Sequence, residues 1–190
     1  RRGPPRNMMG VKSGRSVADI TPPVGLYLTG FGGRAGPAQG IHDGLYAKAI
    51  VISDGQDDLA IVTTDLLGLD RDVVRAILEG AEGLGIPPEN IMLCSSHTHS
   101  GPATITLRGL GPRDEGYVGS IEGKSIGAIQ EALGNMRSST LRVGEGRCEI
   151  GVNRRERATG GGILLGENPL GPIDPTVTPI MLESSAGRTI

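Results

Sequence analysis

The fold of this chain is decided by the stretch Ile91-Met92-Leu93-Cys94-Ser95-Ser96-His97-Thr98-His99-Ser100-Gly101-Pro102. Its first five residues form a short, mostly apolar run, which predicts a strand. The next residues are polar and end in Gly-Pro, which predicts a rigid turn. Open α/β sheets place their chemistry at the carboxyl ends of strands, so the two histidines are expected at such an end.

The residues upstream of this stretch predict a β-hairpin preceded by another strand. Leu45 to Ser53 and Leu59 to Thr64 are both typical of strands, and Asp54-Gly55 between them is a turn signal. Val11 to Ile20 predicts a strand that runs into a turn fixed by two prolines. The glycine-rich segment 29–40 predicts an irregular loop.

Two amphipathic helices are predicted, over residues 70–84 and 114–136. The first begins at Asp70 as a candidate N-cap and ends before Gly85 and Pro87. The second contains three glycines spaced four apart, at positions 119, 123 and 127. Each glycine costs about 0.5–1 kcal/mol relative to alanine, and close packing against another backbone would explain that cost.

The end of the chain predicts two further strands, Leu141 to Val152 and Thr176 to Glu183, joined by a loop rich in Gly and Pro. The predicted fold is therefore α/β, a layered mixed β-sheet with flanking helices. Residues 1–10 are interpreted as a flexible basic leader and residues 11–190 as part of one domain. Because residues 184–190 look like a turn entering a further strand, the domain is expected to be incomplete.

Composition excludes two classes of protein. The 19 Lys and Arg residues against 21 Asp and Glu give a net charge of −2, which argues against the basic face that a nucleic-acid partner requires. With no Trp, 3 Tyr and 1 Phe, a surface for stacking bases is not expected either. The longest apolar runs are far shorter than the roughly 18–20 residues that span a bilayer, so no transmembrane segment is predicted.

The compartment stays open from the sequence. No apolar stretch follows the basic start of the chain, as a secretory signal would require. Cys94 and Cys148 are the only cysteines, too few for a disulfide framework. A soluble protein is expected, whether secreted, periplasmic or cytoplasmic.

His97 and His99 are the main candidates for chemistry. Residues two apart in extended backbone point to one face, so both imidazoles line one site, or one binds a metal while the other handles protons. A structural pair with satisfied hydrogen bonds is the alternative. Neighbouring hydroxyls favour the functional reading because they can fix imidazole tautomers. They belong to Ser95, Ser96, Thr98 and Ser100.

Three other polar residues each have a structural and a functional interpretation. His42 either pairs with the neighbouring Asp43 or belongs to a pocket. Asp65 caps the start of a helix, which is favoured, or supports a histidine. Arg154, in Asn153-Arg154-Arg155, is a solvated loop arginine or a group that reaches a substrate oxygen.

Taken in order, these motifs resemble the N-terminal domain of the neutral/alkaline, non-lysosomal ceramidase family. The resemblance extends over nearly the whole chain from Val11, and its most specific element is the histidine motif. The stretches that carry it are Val17-Ala18-Asp19-Ile20-Thr21-Pro22-Pro23, Gly40-Ile41-His42-Asp43, Leu45-Tyr46-Ala47-Lys48-Ala49, Thr64-Asp65-Leu66-Leu67-Gly68, His97-Thr98-His99-Ser100-Gly101-Pro102, Gly151-Val152-Asn153-Arg154-Arg155, Asn168-Pro169, Gly171-Pro172 and Asp174-Pro175.

The resemblance implies a zinc-dependent amidase that hydrolyses the N-acyl bond of ceramide to sphingosine and a fatty acid. His97 resembles the first zinc ligand, His99 the neighbouring active-site histidine, and Arg154 the active-site arginine. The family's other ligands, a second His, a Glu and a Tyr, fall later in its sequence. This chain is therefore expected to be an N-terminal portion, inactive until a missing C-terminal region of the same protein supplies them.

Two alternatives remain from the sequence. One is a non-catalytic α/β binding module descended from such an enzyme. The other keeps the enzyme but replaces ceramide, a lipid substrate, with a smaller N-acyl molecule, because only four aromatic residues are present to line a site for two alkyl chains.

Overall fold

A computed structural model describes residues 10–109 and 111–184 and confirms an α/β fold built on one mixed sheet. The six strands of the main sheet run in the order β10-β5-β1-β2-β3-β4, and only β3 and β4 are parallel. The predicted leader, apart from Gly10, and the predicted final turn from residue 185 lie outside the described residues. The elements are β1 (Val11–Asp19), β2 (Tyr46–Ser53), β3 (Asp58–Thr64), α1 (Arg71–Glu82), β4 (Ile91–Ser95), α2 (Glu115–Gly134), β5 (Arg137–Val143), β6 (Gly146–Arg147), β7 (Arg155–Arg157), β8 (Ile163–Leu165), β9 (Thr176–Val177) and β10 (Ile180–Ser184).

The predicted hairpin is confirmed as β2 and β3. Gly55 adopts a φ of +95°, which the turn requires and which glycine adopts without steric cost. The Asp54 carboxylate accepts hydrogen bonds from the backbone N–H groups of Gln56 and Asp57 at 2.9 and 3.0 Å. These bonds hold the pKa of Asp54 below its ordinary value. The turn is therefore fixed by local side-chain chemistry alone.

Both helices pack on one face of the sheet and form its hydrophobic core. Helix α1 contributes Val73 and Ile77 and helix α2 contributes Ile129, all fully buried, against Val51 and Val62 of the hairpin. Both helices begin and end within two residues of their predicted limits. Helix α1 has Gly83 as its C-cap and is followed by Gly85 with a φ of +93°, as the predicted glycine stop requires. We call the side of the sheet away from the helices the open face.

The close approach predicted for the α2 glycines occurs elsewhere. Gly119, Gly123 and Gly127 are exposed and have no neighbour within 4 Å of where a Cβ would lie. The position where strand and helix backbones meet is instead Gly14 of β1. A Cβ there would overlap the carbonyl oxygen of Ala132 and lie 2.9 Å from the backbone nitrogen of Met136. The prediction placed the contact on the wrong element because an exposed and a buried glycine look alike in sequence.

The predicted C-terminal strands are wrong in their limits. The strand predicted over 141–152 begins at Arg137 and ends at Val143, and the next residues form β6 in a separate ladder with β9. The strand predicted over 176–183 is divided into β9 and β10, which belong to different ladders. Pro179 lies between them and cannot donate a ladder hydrogen bond. Residues 144–179, which connect β5 to β10, are called the arm.

Asp70 precedes α1 as predicted, but its carboxylate does not cap the helix. It accepts hydrogen bonds from the backbone nitrogen and the hydroxyl of Thr106, both at 2.9 Å. Arg113 lies 3.2 Å from the same oxygen and 2.6 Å from Asp72. The two carboxylates therefore tie the start of α1 to the segment that leads into α2.

The ion pair between Arg113 and Asp72 is expected to make stability depend on acid pH. Hydrogen bonding to Arg113 lowers the pKa of Asp72 to about 2. A lowered pKa in the folded state stabilises the protein above the ordinary carboxyl pKa, and that contribution is lost as the pH falls from about 4 to about 2. Thermal unfolding followed across this window should show a steeper loss for the parent protein than for Arg113→Ala. An equally steep loss in Arg113→Ala would contradict this assignment, and Arg75→Ala, which removes an exposed arginine of α1, is the control.

Candidate functional site

The candidate site lies where the parallel strands β3 and β4 end side by side. Their carboxyl ends lead into residues 65–70 and 96–109, which meet at one edge of the sheet. There Nδ1–H of His97 donates a hydrogen bond of 2.8 Å to the carbonyl oxygen of Leu67. Because a carbonyl only accepts, this bond places the proton of the neutral imidazole on Nδ1 and leaves the lone pair on Nε2.

His97 also has an unusual backbone. Its φ is +60°, and it is the one non-glycine residue with positive φ in residues 10–109 and 111–184. A side chain in this region costs about 1–3 kcal/mol, and such strain persists where the surrounding structure enforces it, often at functional sites. The kink turns the chain out of β4 directly at the histidine.

His99 lies against His97 and against the glycine-rich loop. The two imidazole centroids are 5.2 Å apart, and the Phe31 ring contacts His99 edge-on at 5.1 Å. Arg34 donates a hydrogen bond of 2.6 Å to the carbonyl oxygen of His99. A Cβ at Gly30, which has a φ of +99°, would lie 2.6 Å from Cβ and Cγ of His99. The irregular loop predicted over 29–40 therefore forms one wall of the histidine pair.

Backbone contacts clamp the histidine segment from both sides. Thr29 N–H donates to the carbonyl oxygen of Gly101 at 2.9 Å, and Leu28 pairs with Pro102 as an isolated bridge. The hydroxyl of Thr104 donates to the carbonyl oxygen of Gly68 at 2.6 Å. Residues that precede β3 in the sequence and residues that follow it therefore hold the histidine segment in place.

The alternate side chains of the same segment line a cavity. Thr98 and Ser100 contribute to a space of about 480 Å³ together with Pro22, Leu28 and Ile41. His42 also lines this cavity. None of the contacts described above joins His42 to His97 or His99. Its Nδ1–H donates to Asp43 at 2.7 Å, and this bond raises the pKa of His42 although the side chain is 96% exposed. The pairing of His42 with Asp43 is therefore confirmed, and a functional role for His42 stays a prediction.

Asp65 does not cap a helix, as the sequence favoured. Its carboxylate accepts a hydrogen bond from the backbone N–H of Tyr46 at 3.1 Å and lies 3.7 Å from Nζ of Lys48. Helix α1 begins only at Arg71. The prediction was wrong because the chain makes a further bend before the helix, and Asp65 instead ties the end of β3 to the start of β2.

Arg154 lies in the arm, away from the contacts of the histidines. Its Nε donates a hydrogen bond of 2.7 Å to the carbonyl oxygen of Gly166, which orients the guanidinium. Asn153 holds the surrounding turn by donating to the carbonyl oxygen of Pro172 and accepting from Arg155 N–H. Among the described residues, no hydrogen bond, ion pair or ring contact links Arg154 to His97 or His99. Its assignment to the site stays a prediction.

Sequence reasoning missed four parts of the site: the Leu67 carbonyl, Gly30, Phe31 and Arg34. The one available signal was the combination of glycine, an aromatic and an arginine in the loop 29–40. A glycine there can mark a close backbone approach. What it approaches is decided by the tertiary structure.

The assignment of His97 as a zinc ligand stays a prediction, and the geometry of its imidazole is compatible with it. His97 fits a zinc ligand, since metal-binding imidazoles almost always donate their other N–H to a carbonyl or a carboxylate. A zinc ion needs three or four protein ligands. No group of three His, Cys, Asp or Glu side chains converges within residues 10–109 and 111–184.

The architecture places this chain in the α/β class, with an oriented histidine pair where two parallel strands end. Within that class the chain belongs to a family described as "Neutral/alkaline non-lysosomal ceramidase, N-terminal", whose match extends over residues 12–159.

Curated and solved relatives agree with this membership. The chain is 32% identical over 102 residues to proteins named "Neutral ceramidase" from Drosophila pseudoobscura pseudoobscura and Drosophila melanogaster, a match that covers 50% of this chain and 14% of each relative. Its fold is similar to that of the neutral ceramidase from Pseudomonas aeruginosa, with a TM-score of 0.77 and 23% identity, over 96% of this chain and 31% of that one. A structure described as "Ceramidase complexed with C2" matches with a TM-score of 0.78. The matched region is therefore a small part of each of these relatives.

Within residues 10–109 and 111–184, no helix is both long enough and apolar enough to cross a membrane.

Proposed function

We propose that this chain is the N-terminal portion of a zinc-dependent hydrolase that cleaves an N-acyl amide bond, with ceramide or a smaller N-acyl molecule as substrate. The observation that carries the proposal is the hydrogen bond from Nδ1–H of His97 to the Leu67 carbonyl. It presents the lone pair of Nε2 for a metal, and the strained backbone at the same residue supports a functional role. Family membership and the relatives named as ceramidases support the choice of reaction.

In this proposal His97 supplies one zinc ligand, and the remaining ligands come from polypeptide outside this chain. Zinc bound at such a site activates water at neutral pH and polarises an amide carbonyl. In this proposal the chain's own contribution is to hold the imidazole of His97 so that Nε2 points toward the zinc ion.

The neighbouring residues have separate proposed roles. His99, whose ring is 5.2 Å from that of His97, can donate a proton to the leaving amine nitrogen as the C–N bond breaks. Arg154 can stabilise negative charge that develops on the carbonyl oxygen, since its Nη atoms remain for substrate while Nε is held by Gly166. The products are a carboxylic acid and an amine, and one water is consumed.

The test is made on the full-length protein. We expect about one zinc ion per chain by elemental analysis and release of fatty acid from N-acyl substrates. A panel that runs from ceramide with a long acyl chain to short N-acyl amines will rank the substrates by kcat/KM. Absence of both zinc and hydrolysis would refute the proposal and favour a non-catalytic binding module.

Gly30→Ala is expected to lower this hydrolysis by at least about 10²-fold, because misplacing a catalytic group by about 1 Å can have an effect of that size. The new Cβ would lie 2.6 Å from the His99 side chain, and a φ of +99° is unfavourable for alanine. The measurement is kcat for the preferred substrate, alongside zinc content.

Gly33→Ala is the matched control for that variant. It lies in the same loop, has no neighbour within 4 Å of a Cβ and does not have positive φ. Unchanged zinc with reduced kcat in Gly30→Ala supports a role for His99 distinct from that of His97. Equal activity of both variants and the parent protein would contradict it.

A further inference from the structure

The open face of the sheet is built from large apolar side chains. The ladder registers place Ile50 opposite Ile61 and Ile52 opposite Leu59, and Met92 lies beside Ile61. Residues directly paired in a ladder point to the same face, so these side chains form one continuous surface. Ala49, Val51 and Val62 alternate with them and point to the helices. The halves of β2 and β3 nearest their connecting turn are therefore apolar on both faces, and Lys48 and Thr63 follow on the open face farther from the turn.

Such strands are typical of sheets that are covered on both sides. A sheet with one face in water normally carries polar residues there. On the open face, however, Leu59 is 42% exposed, Met92 55% and Val17 49%, while Ile180 at the other end of the sheet is 61% exposed. Contiguous exposed apolar surface of this kind marks a site of interaction. Leaving it in water would forfeit about 25 cal/mol for every Å².

We infer that the open face is a docking surface for the polypeptide that follows residue 190 in the full-length protein. The structural match covers 31% of the Pseudomonas aeruginosa chain, and the 102-residue sequence match covers 14% of each Drosophila relative. The matching family is an N-terminal one, so the relatives' additional polypeptide lies mainly beyond the matched part. That length exceeds this chain severalfold in the Drosophila proteins and is ample to cover one sheet face.

The arm gives a second, independent indication of the same occupant. Three of its apolar side chains are almost fully in water, with Ile150 93% exposed, Leu165 80% and Leu170 96%, and its other large apolar side chains are about half exposed. Backbone pairing in the ladders β6-β9 and β7-β8 gives the arm a defined conformation without a core of its own. A segment that has a defined backbone conformation but buries so little apolar surface is suited to pack against a further part of the same molecule.

Cys94 is a native probe of the open face. It is paired with Thr63 in the parallel ladder, which places it on this face, and its thiol is free and exposed. If following polypeptide covers the face, Cys94 of the folded full-length protein will react slowly with a maleimide. We expect at least about 100-fold protection relative to the denatured protein, because labelling then requires local opening.

The control is Gln130→Cys, which places a thiol on the exposed side of α2 away from the sheet. Peptide mass spectrometry measures labelling at both positions in the same sample. Cys94 labelling as fast as the control thiol would overturn the inference. Protection that disappears on dilution, together with a dimer in light scattering, would assign the face to a second copy and also overturn it.

This inference does not depend on the zinc proposal. Zinc content and hydrolysis are measured separately, so a protein that has neither zinc nor hydrolysis but a protected Cys94 would refute the proposed function and leave the docking surface supported.

Discussion

Replacing His97 by alanine in the full-length protein is expected to remove the bound zinc and lower N-acyl amide hydrolysis by at least about 10³-fold. Metal catalysis supplies several kcal/mol of transition-state stabilisation, and each 1.36 kcal/mol is a factor of ten. The hydrogen bond from Nδ1–H of His97 to the Leu67 carbonyl fixes the imidazole, and Nε2, on the other side of the ring, faces away from that carbonyl. Elemental analysis and steady-state kinetics on the purified variant check the expectation.

Two further variants separate loss of the ligand from loss of the fold. His97→Asn removes the imidazole but keeps a residue that tolerates the positive φ of this position. It should lack zinc and unfold like the zinc-free parent protein, because bound zinc itself stabilises the folded state. His42→Ala removes an imidazole that is 96% exposed and bound to Asp43, and it should keep full zinc content. Zinc retained by His97→Ala at the parent level would end the assignment of His97 as a ligand.

Gly14→Val is expected to destabilise the protein more than any other single change in the strands. A Cβ at this position would overlap the Ala132 carbonyl oxygen and approach the backbone of Asn135 and Met136 within 3.0 Å. These are backbone atoms, so no rotamer change relieves the clash and α2 must move off the sheet. Overpacking typically costs 1–3 kcal/mol and occasionally more, and we expect at least about 3 kcal/mol here.

The matched control for this variant is Gly119→Ala. Gly119 lies within α2, is exposed and has no neighbour within 4 Å of a Cβ. Alanine there should stabilise the helix by about 0.5–1 kcal/mol. Denaturant unfolding of the two variants is therefore expected to shift in opposite directions. A Gly14→Val protein as stable as the parent would show that β1 and α2 do not meet as described.

The elements that sequence reasoning located well are those whose signals are local. The hairpin depends on Asp54 and Gly55, which make their turn contacts within three residues. Both helices follow from apolar periodicity, and α1 also from the glycine and proline that follow it. Local hydrogen bonds and local periodicity depend only on residues that are close together in the sequence, so the sequence alone predicts them.

The strand β5 was misplaced because its buried positions are polar. Ser139 is buried, and its hydroxyl accepts a hydrogen bond of 2.8 Å from Ser13, which is 126 residues away. No local pattern predicts burial for a serine whose partner is so distant. The prediction for the α2 glycines failed for a similar reason, since Gly14 is recognised as a contact only when α2 is placed beside it.

The sequence by itself determined the α/β class, the position of the hairpin and helices, and the histidine pair that follows β4, because each depends on neighbours in the chain. The tertiary structure alone decided which atom of His97 is free, which loop contacts His99 and which face of the sheet stays open. These features arise where residues far apart in sequence meet, and the free energy of such contacts depends on geometry that residue order does not contain.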